Sequence, residues 1–318
     1  MLTLLKLLQD GRFHSGQALG EILGVSRSAV WKQLQQLETD LGLSVYKVRG
    51  RGYRLQSPLS LLDRSILNAS GAPWSHHVFE SLDSTNAEVM RRLSAGLAPP
   101  FAVIAERQTE GRGRRGRRWV SPYAQNVYYS LALRIEGGAR QLEGLSLVVG
   151  LAVLSTLHSF GLTAAGLKWP NDLLVGNRKV AGVLLELLGD PADLCHVVVG
   201  IGINVNMQQP AEEIDQPWTS MQIDTGVLVD RNALVSCLSA RLEYYLGRHK
   251  REGFSALREE WERGHLWQGK QVNLIAGVQK IQGSVVGIDV TGALRLSVNG
   301  EERAYSGGEL SLRLSDDS

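Results

Sequence analysis

Residues 111–119 hold five arginines and three glycines in nine positions. Glycine lets the backbone turn tightly and approach a ligand closely. Arginine is always charged and presents a planar fork of donors that matches carboxylate and phosphate groups. The run therefore predicts a loop that closes over a small anionic ligand. The alternative is a solvated basic loop without a specific ligand.

The glycines of this run also satisfy the dinucleotide-binding pattern G-x-G-x-x-G. That pattern requires a strand before it, a helix after it and an acidic residue about 20 positions further on. An apolar, strand-like segment precedes the loop at 101–105. However, residues 117–122 (RRWVSP) do not begin a crossover helix, and residues 128–135 contain no Asp or Glu. The sequence therefore disfavours a Rossmann domain, and a P-loop fails because no Gly-Lys-Ser/Thr follows.

The first 56 residues form a small basic module. They carry eight Lys or Arg against four Asp or Glu, so their net charge is +4 while that of the whole chain is +2. Apolar spacing predicts three helices here, and Ser15 and Ser26 are suited to cap the second and third. The short turn Gly24-Val25 between those two helices gives a helix-turn-helix arrangement, in which the third helix enters the major groove of DNA.

Two short strands, 45–48 and 53–55, follow and enclose the basic turn Arg49-Gly50-Arg51-Gly52. This pattern predicts a wing that touches the phosphate backbone, so we expect a winged helix-turn-helix domain. The alternative, a small helical domain that binds proteins, leaves the basic wing tip unexplained. The predicted DNA-binding residues are Ser26, Arg27, Ser28, Lys32, Gln35, Arg49 and Arg51.

Cysteine content and the apolar segments indicate the cellular location to expect for this chain. Two cysteines, Cys195 and Cys237, are too few for a disulfide framework or a zinc site, and the seven histidines show no metal-ligand spacing. The N-terminus lacks the features of a signal peptide. The longest apolar stretch, Leu145–Phe160, is interrupted by polar residues and a glycine, and predicts a core helix and not a membrane span. We therefore expect a cytoplasmic protein with no membrane partner.

The body of the chain, residues 61–265, mixes strands and helices. Several strands follow one another without a helix, as in the hairpin around Gly176-Asn177, so we predict a mixed, largely antiparallel α+β sheet and not a doubly wound one. The predicted strands are 77–80, 101–106, 126–135, 165–169, 172–175, 179–187 and 195–203. The predicted helices are 60–69, 85–95, 141–160, 230–247 and 254–264.

The tail from residue 266 is different, because it contains only short β patterns. Strands are predicted around 272–275, 281–286 and 294–298, and Asn299-Gly300 is a strong hairpin signal. The predicted domains of the whole chain are 1–57, 61–265 and 266–318.

Three polar positions in the body each have two interpretations. Lys168 lies between two predicted strands and is either a functional cation or the ion-pair partner of Asp172. Ser84 binds a ligand or simply caps the helix that it begins. Asn204, at the end of an apolar strand, binds a ligand or serves as a turn amide.

Six motifs, in this order, resemble those of the biotin protein ligases. They are Ser84-Thr85-Asn86, Gln108, the loop 111–119, Lys168-Trp169-Pro170-Asn171-Asp172, the segment 179–186 (KVAGVLLE) and Gly200-Ile201-Gly202-Ile203-Asn204. With a winged helix in front, the chain is similar, over essentially all 318 residues, to the bifunctional bacterial form, which is also the biotin-operon repressor. The resemblance implies a catalytic domain like those of class II aminoacyl-tRNA synthetases and an SH3-like β-barrel in the tail.

The resemblance also implies a two-step reaction. The carboxylate of biotin attacks the α-phosphate of ATP and gives biotinoyl-5′-AMP and pyrophosphate. A lysine of the biotin carboxyl carrier protein of acetyl-CoA carboxylase then accepts the biotinoyl group. Mg²⁺ is expected with the ATP phosphates. Binding of the adenylate is expected to order the arginine loop and to favour a homodimer that binds a palindromic operator.

Site residues follow from the same resemblance. Lys168 and Arg114 are the expected catalytic residues, and Asp172 is either a magnesium ligand or the group that orients Lys168. The expected biotin-binding residues are Ser84, Thr85, Asn86, Gln108, Arg112, Gly113, Arg114 and Lys168. The expected nucleotide-binding residues are Arg117, Trp119, Asn171, Asn204 and Trp218.

Two other functions stay open. A lipoate or octanoate ligase shares the fold and the adenylation chemistry, although the arginine-rich loop and the Lys-Trp-Pro-Asn-Asp motif argue against it. A repressor that binds biotinoyl-adenylate without transferring the biotin is disfavoured by the full set of catalytic cations. A biotin carrier is excluded, because the chain contains no Met-Lys pair.

Overall fold

A computed structural model describes residues 2–135, 139–189, 195–209, 214–307 and 310–315. Within these ranges the chain forms a winged helix, a central sheet covered by helices, and a small C-terminal sheet. The predicted outer limits of the first and last domains, residues 1 and 318, lie outside the described residues.

The N-terminal module contains three helices and a two-stranded wing. Its elements are α1 (Leu2–Leu8), α2 (Gly16–Leu23), α3 (Arg27–Leu41), β1 (Val45–Val48) and β2 (Gly52–Leu55). As predicted, Ser15 and Ser26 cap α2 and α3 by accepting hydrogen bonds from backbone amides three residues further on, at 3.0 and 3.2 Å. His14 pairs with Tyr53, so the segment before α2 extends the wing by a third, antiparallel piece of chain.

The central sheet contains seven strands. They are β3 (Ser75–Phe79), β4 (Phe101–Ala105), β5 (Val127–Ile135), β6 (Ala165–Lys168), β7 (Asp172–Val175), β8 (Arg178–Gly189) and β9 (Cys195–Ile203). Their order is β3-β4-β5-β9-β8-β7-β6, and every neighbouring pair is antiparallel except β3 with β4. The prediction of a mixed, largely antiparallel sheet is confirmed.

Helices cover both faces of this sheet. They are α4 (Arg64–Asn68), α5 (Thr85–Ser94), α6 (Leu145–Ser159), α7 (Met221–Thr225), α8 (Arg231–Glu252) and α9 (Arg258–Gly264). In β4, Phe101 and Val103 pack with Val89 of α5, whereas Ala102 and Ile104 belong to the larger core that includes α6 and α8. Because both faces are covered, β4 is buried along its whole length.

The C-terminal domain is a five-stranded antiparallel sheet. Its strands are β10 (Gln271–Ala276), β11 (Gln279–Ile288), β12 (Leu294–Val298), β13 (Glu301–Tyr305) and β14 (Leu310–Leu314). Their order is β13-β12-β11-β10-β14. Asn299 and Gly300 both have positive φ, 54° and 84°, as the predicted tight hairpin turn requires. Among the described helices, none combines the length and the apolar composition that crossing a bilayer requires.

A buried ion pair fixes the linker between the winged helix and the central sheet. Arg231, at the start of α8, pairs with Glu106, which follows β4. Arg231 also donates hydrogen bonds to the backbone oxygens of Ser60 (2.7 Å) and Asn126 (2.9 Å). Glu106 accepts a further hydrogen bond from the amide of Leu62 at 2.7 Å. The linker is therefore held against the segment that follows β4 and leads into the Gly/Arg loop.

Candidate active site

A cavity of about 690 Å³ lies between the Gly/Arg loop, the start of α5, the turn between β6 and β7, strands β8 and β9, and β14. The predicted ligand-binding residues that line it are Ser84, Thr85, Asn86, Gln108, Arg112, Gly113, Arg114, Arg117, Trp119, Lys168, Asn171 and Asp172. The other two, Asn204 and Trp218, line a small adjoining cavity of about 40 Å³, which shares Trp119 and Lys179 with the main one.

Two lysines share one carboxylate in the wall of the main cavity. Lys168 ends β6 and Asp172 begins β7, and the two residues pair directly across the hairpin. The Nζ atom of Lys168 lies 3.8 Å from one oxygen of Asp172, and the Nζ atom of Lys179 lies 2.6 Å from the other. Each ammonium group also lies over an indole ring, that of Lys168 at 4.9 Å from the centre of Trp267 and that of Lys179 at 5.3 Å from the centre of Trp119.

Of the two interpretations of Lys168, the ion pair with Asp172 is confirmed. Lys168 also lines the cavity, and its role as a functional cation stays a prediction. Burial raises the pKa of the Asp172 carboxyl, but Lys179 and Lys168 outweigh burial and hold that pKa below its ordinary range. Burial lowers the pKa of the Lys168 ammonium, and Asp172 opposes only part of that change. One negative charge therefore fixes two positive charges at the cavity wall.

The Gly/Arg loop is a narrow, folded structure. The amide of Gly113 donates to the oxygen of Arg117 at 2.7 Å, and the amide of Trp119 donates to the oxygen of Gly111 at 2.8 Å. A further hydrogen bond, of 2.8 Å, runs from Arg114 to the side-chain oxygen of Asn171. Burial lowers the pKa of the Arg114 guanidinium. The loop thus connects to the turn that separates Lys168 from Asp172.

The start of α5 contributes a dense set of polar groups. The amide and the hydroxyl of Thr85 both donate to the side-chain oxygen of Gln108, at 2.8 and 3.0 Å. Ser130, on β5, contacts the hydroxyl of Thr85 at 2.7 Å and donates to the side-chain oxygen of Asn86 at 2.6 Å. Ser84 caps α5, which agrees with its local interpretation and leaves its ligand role a prediction. These buried and partly buried groups form a polar wall, connected by hydrogen bonds, that contains both donors and acceptors.

Glu186, on β8, joins this wall to the loop. It accepts a hydrogen bond from the side-chain nitrogen of Asn86 at 2.7 Å and lies 3.6 Å from the guanidinium of Arg112. Arg112 remains nearly half exposed, at 47%. This arginine is therefore held at the mouth of the cavity and not in its interior.

Two glycines of β9 make room for the side chains opposite them. A Cβ atom on Gly200 would lie 2.5 Å from the side-chain oxygen of Asn86, and one on Gly202 would lie 2.5 Å from the ring of Trp119. Both distances are shorter than any tolerated contact. The glycines of the segment 200–204 are thus required by the packing of two predicted ligand residues.

Trp119 lines both the main cavity and the adjoining one. Its Nε1 atom is buried and has no hydrogen-bond partner among the described residues. Trp218 reaches this region because its backbone pairs with that of Lys179. Asn204 is buried and donates to the backbone oxygen of Thr219 at 3.0 Å, as a turn amide would.

Several residues that line the cavity, and Ser130, which hydrogen-bonds to two of them, were not predicted as site residues. Lys179 belonged to a recognised motif, yet no local signal marked its pairing with Asp172. Ser130 and Trp267 had no signal in the sequence, because strand pairing and domain packing bring them to the site. The same applies to the residues of β14, Leu310 to Arg313, which line the cavity because β14 pairs with β10.

The predicted DNA-binding residues are on the surface of the winged helix. Ser26 caps α3, and its hydroxyl lies 2.9 Å from that of Ser28. All seven side chains are exposed: those of Ser26, Arg27, Ser28, Lys32, Gln35, Arg49 and Arg51. The opposite face of α3 is buried through Val30, Leu34 and Leu37, so the helix presents a polar surface outward.

Three family profiles match this chain. Residues 78–204 match the Biotin/lipoate A/B protein ligase family, residues 1–54 match an HTH domain, and residues 268–313 match the Biotin protein ligase C terminal domain. The order of the three matches along the chain is the order of the three structural units.

Relatives match over nearly the whole chain. It is 41% identical to the Bifunctional ligase/repressor BirA of Salmonella typhimurium, over 98% of this chain and 97% of that protein. It is 31% identical to the protein of the same name from Bacillus subtilis, over 92% of each. Among solved structures it is similar to the biotin protein ligase from Aquifex aeolicus in complex with biotin and ATP, at 32% identity and a TM-score of 0.67, over 76% of this chain and 99% of that one. The chain therefore belongs to the biotin protein ligase family, and within it to the bifunctional ligase/repressor group.

Proposed function

We propose that this chain forms biotinoyl-5′-AMP from biotin and ATP and transfers the biotin to a lysine of a biotin carboxyl carrier protein. The observation that carries the proposal is the pair Lys168 and Lys179, held on Asp172 in the wall of a cavity that the arginine loop also lines. Biotin supplies a carboxylate and ATP a polyphosphate. Their approach requires fixed positive charge, which preorganised groups supply without reorganisation during the reaction.

In the first step, Lys168 lies between the biotin carboxylate and the α-phosphate. A carboxylate oxygen attacks the α-phosphorus, the bond from that phosphorus to the bridging oxygen breaks, and pyrophosphate leaves with the bonding electrons. Lys168 and Arg114 stabilise the negative charge that accumulates on the phosphoryl oxygens. Asp172 positions Lys168 and does not itself touch the substrate.

The polar wall at the start of α5 binds the ureido ring of biotin. A buried ureido group needs matched donors and acceptors, since each one left unpaired costs about 1–3 kcal/mol. The biotin-binding residues in this proposal are Ser84, Thr85, Asn86, Gln108, Arg112, Gly113, Arg114 and Lys168. The nucleotide-binding residues are Arg117, Trp119, Asn171, Asn204 and Trp218.

Magnesium enters as part of the substrate MgATP. Asp172 was a candidate metal ligand, but its two oxygens face two ammonium groups. In the described ranges, no cluster of three or more His, Cys, Asp or Glu side chains is arranged to hold a metal ion. We therefore assign Asp172 to the positioning of the lysines and Mg²⁺ to the ATP phosphates.

In the second step, the amine of the acceptor lysine attacks the acyl carbon of the adenylate. A carbon–nitrogen bond forms, the bond from the acyl carbon to the phosphate oxygen breaks, and AMP leaves. The Gly/Arg loop covers the adenylate between the two steps and excludes water, which would otherwise hydrolyse the mixed anhydride. The contact between Arg114 and Asn171 supports this role, because it ties the loop to the cavity wall.

Transfer is tested with the purified carrier domain of acetyl-CoA carboxylase. Incubation with biotin, ATP and Mg²⁺ should biotinylate that domain, as detected by mass spectrometry. A carrier domain with arginine in place of its target lysine is the control, and it should stay unmodified. Modification by lipoate or octanoate in place of biotin would instead support the alternative ligase.

The winged helix supports a second function, repression of a biotin operon with biotinoyl-5′-AMP as corepressor. Domains of this kind read one half-site each and bind operators as dimers. We therefore propose that the adenylate favours a homodimer. The cytoplasmic location predicted from the sequence is compatible with this function and stays a prediction.

Sedimentation and gel-shift measurements, with and without biotin and MgATP, test the repressor function. The duplex used is the region upstream of this organism's own biotin-synthesis genes. We expect dimers and tighter DNA binding only when both biotin and MgATP are present. Equal DNA affinity in both states would contradict the coupling between ligand and operator.

A further inference from the structure

The outer face of the wing carries a stack of alternating arginine and aromatic side chains. The guanidinium carbon of Arg51 lies 4.4 Å from the ring centre of Phe13, and that of Arg54 lies 5.2 Å from the same ring. On its other side, Arg54 lies 4.9 Å from the ring centre of Tyr46. We call Arg51, Phe13, Arg54 and Tyr46 the wing stack.

Strand pairing explains why these side chains meet. Tyr46 and Arg54 are direct partners across the hairpin of β1 and β2. Phe13 precedes His14, which pairs with Tyr53 on the other side of β2. The three pieces of chain therefore place Phe13, Arg54 and Tyr46 side by side on one face. Side chains of β2 on the opposite face, such as Tyr53, are buried in the core of the module.

The charges of the wing are not neutralised within the protein. In the described part of the N-terminal module, the ion pairs are those of Lys6 with Asp63 and of His14 with Asp10. The wing cations therefore have no carboxylate within 4.0 Å among the described residues. These cations are Lys47, Arg49, Arg51 and Arg54. Elsewhere, arginines such as Arg91 and Arg295 form ion pairs with carboxylates.

We propose that the wing stack is a preformed site for backbone phosphates of duplex DNA, in which Arg51 and Arg54 bind phosphate and Phe13 and Tyr46 position them. An aromatic ring against the face of a guanidinium leaves the N–H donors at its edge free. It also restricts a side chain that otherwise loses much rotational freedom on binding. Arg54, Phe13 and Tyr46 thereby extend the DNA-contacting surface beyond Arg49 and Arg51. This inference rests on the proposed DNA-binding function.

Phosphate contacts can be counted by salt dependence, even without knowledge of the operator. Each phosphate contact contributes about 0.9 to the slope of log affinity against log salt concentration. The full-length protein would be titrated, by fluorescence anisotropy, against a mixed-sequence duplex of about 40 base pairs at roughly 50 to 200 mM KCl. The slope for Arg54→Gln should fall by about 1 relative to that of the unmodified protein.

The decisive variant changes no charge. Phe13→Leu removes the ring between Arg51 and Arg54, and it should weaken binding about 3- to 10-fold and lower the slope toward that of Arg54→Gln. Phe13→Tyr retains a ring and should behave like the unmodified protein. Lys250→Gln, an exposed position on α8, is the control for loss of one positive charge far from the wing. If Phe13→Leu unfolds the module, as judged by circular dichroism, Tyr46→Leu at an exposed position replaces it, with Tyr46→Phe as its conservative partner.

The outcomes separate this inference from the function on which it rests. If the unmodified protein binds the duplex more weakly as salt increases, and Arg54→Gln has the same salt slope, then Arg54 does not contact phosphate. If Arg54→Gln lowers the salt slope but Phe13→Leu and Tyr46→Leu leave it unchanged, then the aromatic rings do not position the arginines. Absence of duplex binding in the unmodified protein at low salt would overturn the DNA-binding function together with this inference.

Discussion

The guanidinium of Arg114 donates a hydrogen bond of 2.8 Å to the side-chain oxygen of Asn171, a residue 57 positions further along the chain. Asn171 itself donates to the backbone oxygen of Val183 at 2.8 Å. The loop that covers the cavity is thereby connected to the turn that carries Lys168 and to strand β8. The Gly/Arg loop and the turn that follows Lys168 therefore belong to one hydrogen-bonded network.

Arg114→Gly should release the adenylate from the site before transfer. Loss of the contact with Asn171 opens the loop, water and external amines reach the mixed anhydride, and lysines of bystander proteins become labelled. Labelling of serum albumin by biotin and ATP, measured by mass spectrometry, should rise about 10-fold or more, in line with the size of typical single-contact effects. Arg251→Gly, at an exposed arginine near the end of α8 and outside the cavity lining, is the control for loss of one arginine side chain. If Arg114→Gly labels albumin no more than the unmodified protein does, then the loop does not protect the adenylate.

Asp172→Asn should slow adenylation without a change in the magnesium requirement. The amide cannot hold two ammonium groups, so Lys168 and Lys179 repel each other and leave their positions. Biotin-dependent pyrophosphate exchange should fall on the order of 10- to 100-fold, while the Mg²⁺ concentration for half-maximal rate stays constant. A large increase in that concentration would instead identify Asp172 as a metal ligand.

Gly200→Ala and Gly202→Ala should separate the two substrates. The new methyl group at position 200 collides with Asn86 and should raise the KM for biotin about 10-fold or more. The methyl group at position 202 collides with Trp119 and should raise the KM for ATP by a similar factor. Each variant is the control for the other, since both add one carbon atom to the same strand. Equal effects on both substrates in both variants would contradict the assignment of the two ends of the cavity.

Stability should decrease in mild acid because of buried histidines. Burial lowers the pKa of His76 from 6.5 to about 4, and it does the same to His265. The unfolded chain binds these protons near pH 6.5 and the folded chain does not. The contribution of these two histidines to the free energy of unfolding therefore has its full value above about pH 6.5. It falls as the pH drops toward 4, by roughly 2–3 kcal/mol for each histidine.

Urea unfolding at a series of pH values checks this prediction. His76→Gln should reduce the acid slope but not abolish it, because His265 continues to contribute and burial also lowers the pKa of His77 and of His249. His196→Gln, at a position that is not fully buried, is the matched control. A slope that His76→Gln leaves unchanged would show that other groups cause the loss of stability.

Sequence reasoning predicted the fold well where a local signal exists. Helical spacing and serine caps marked α2 and α3, and Asn299-Gly300 marked the turn from β12 to β13. It failed where tertiary contacts override local propensity. The helix predicted at 60–69 is only Arg64–Asn68, because Ser60 and Leu62 are held by the buried pair of Arg231 and Glu106.

The site could be predicted only as far as its motifs reached. The residues of the arginine loop and of the Lys-Trp-Pro-Asn-Asp turn carry recognisable patterns, and they line one cavity. Ser130, Trp267 and Arg313 carry none. They reach the site through pairings of strands and packing of domains that are distant in sequence, so their contribution depends on the whole fold. Lys179 lies between these cases, because its motif was recognised but its shared carboxylate was not.

The role proposed for Lys168, fixed by Asp172, is to bring the biotin carboxylate and ATP together. Its most direct test is biotin-dependent exchange of pyrophosphate into ATP, with lipoate in place of biotin as the substrate control and Lys168→Ala beside the unmodified protein. We expect exchange with biotin only, reduced in Lys168→Ala by about 100-fold or more. Exchange with lipoate and not with biotin would contradict the substrate. Exchange with biotin at a normal rate in Lys168→Ala would contradict the role of the lysine.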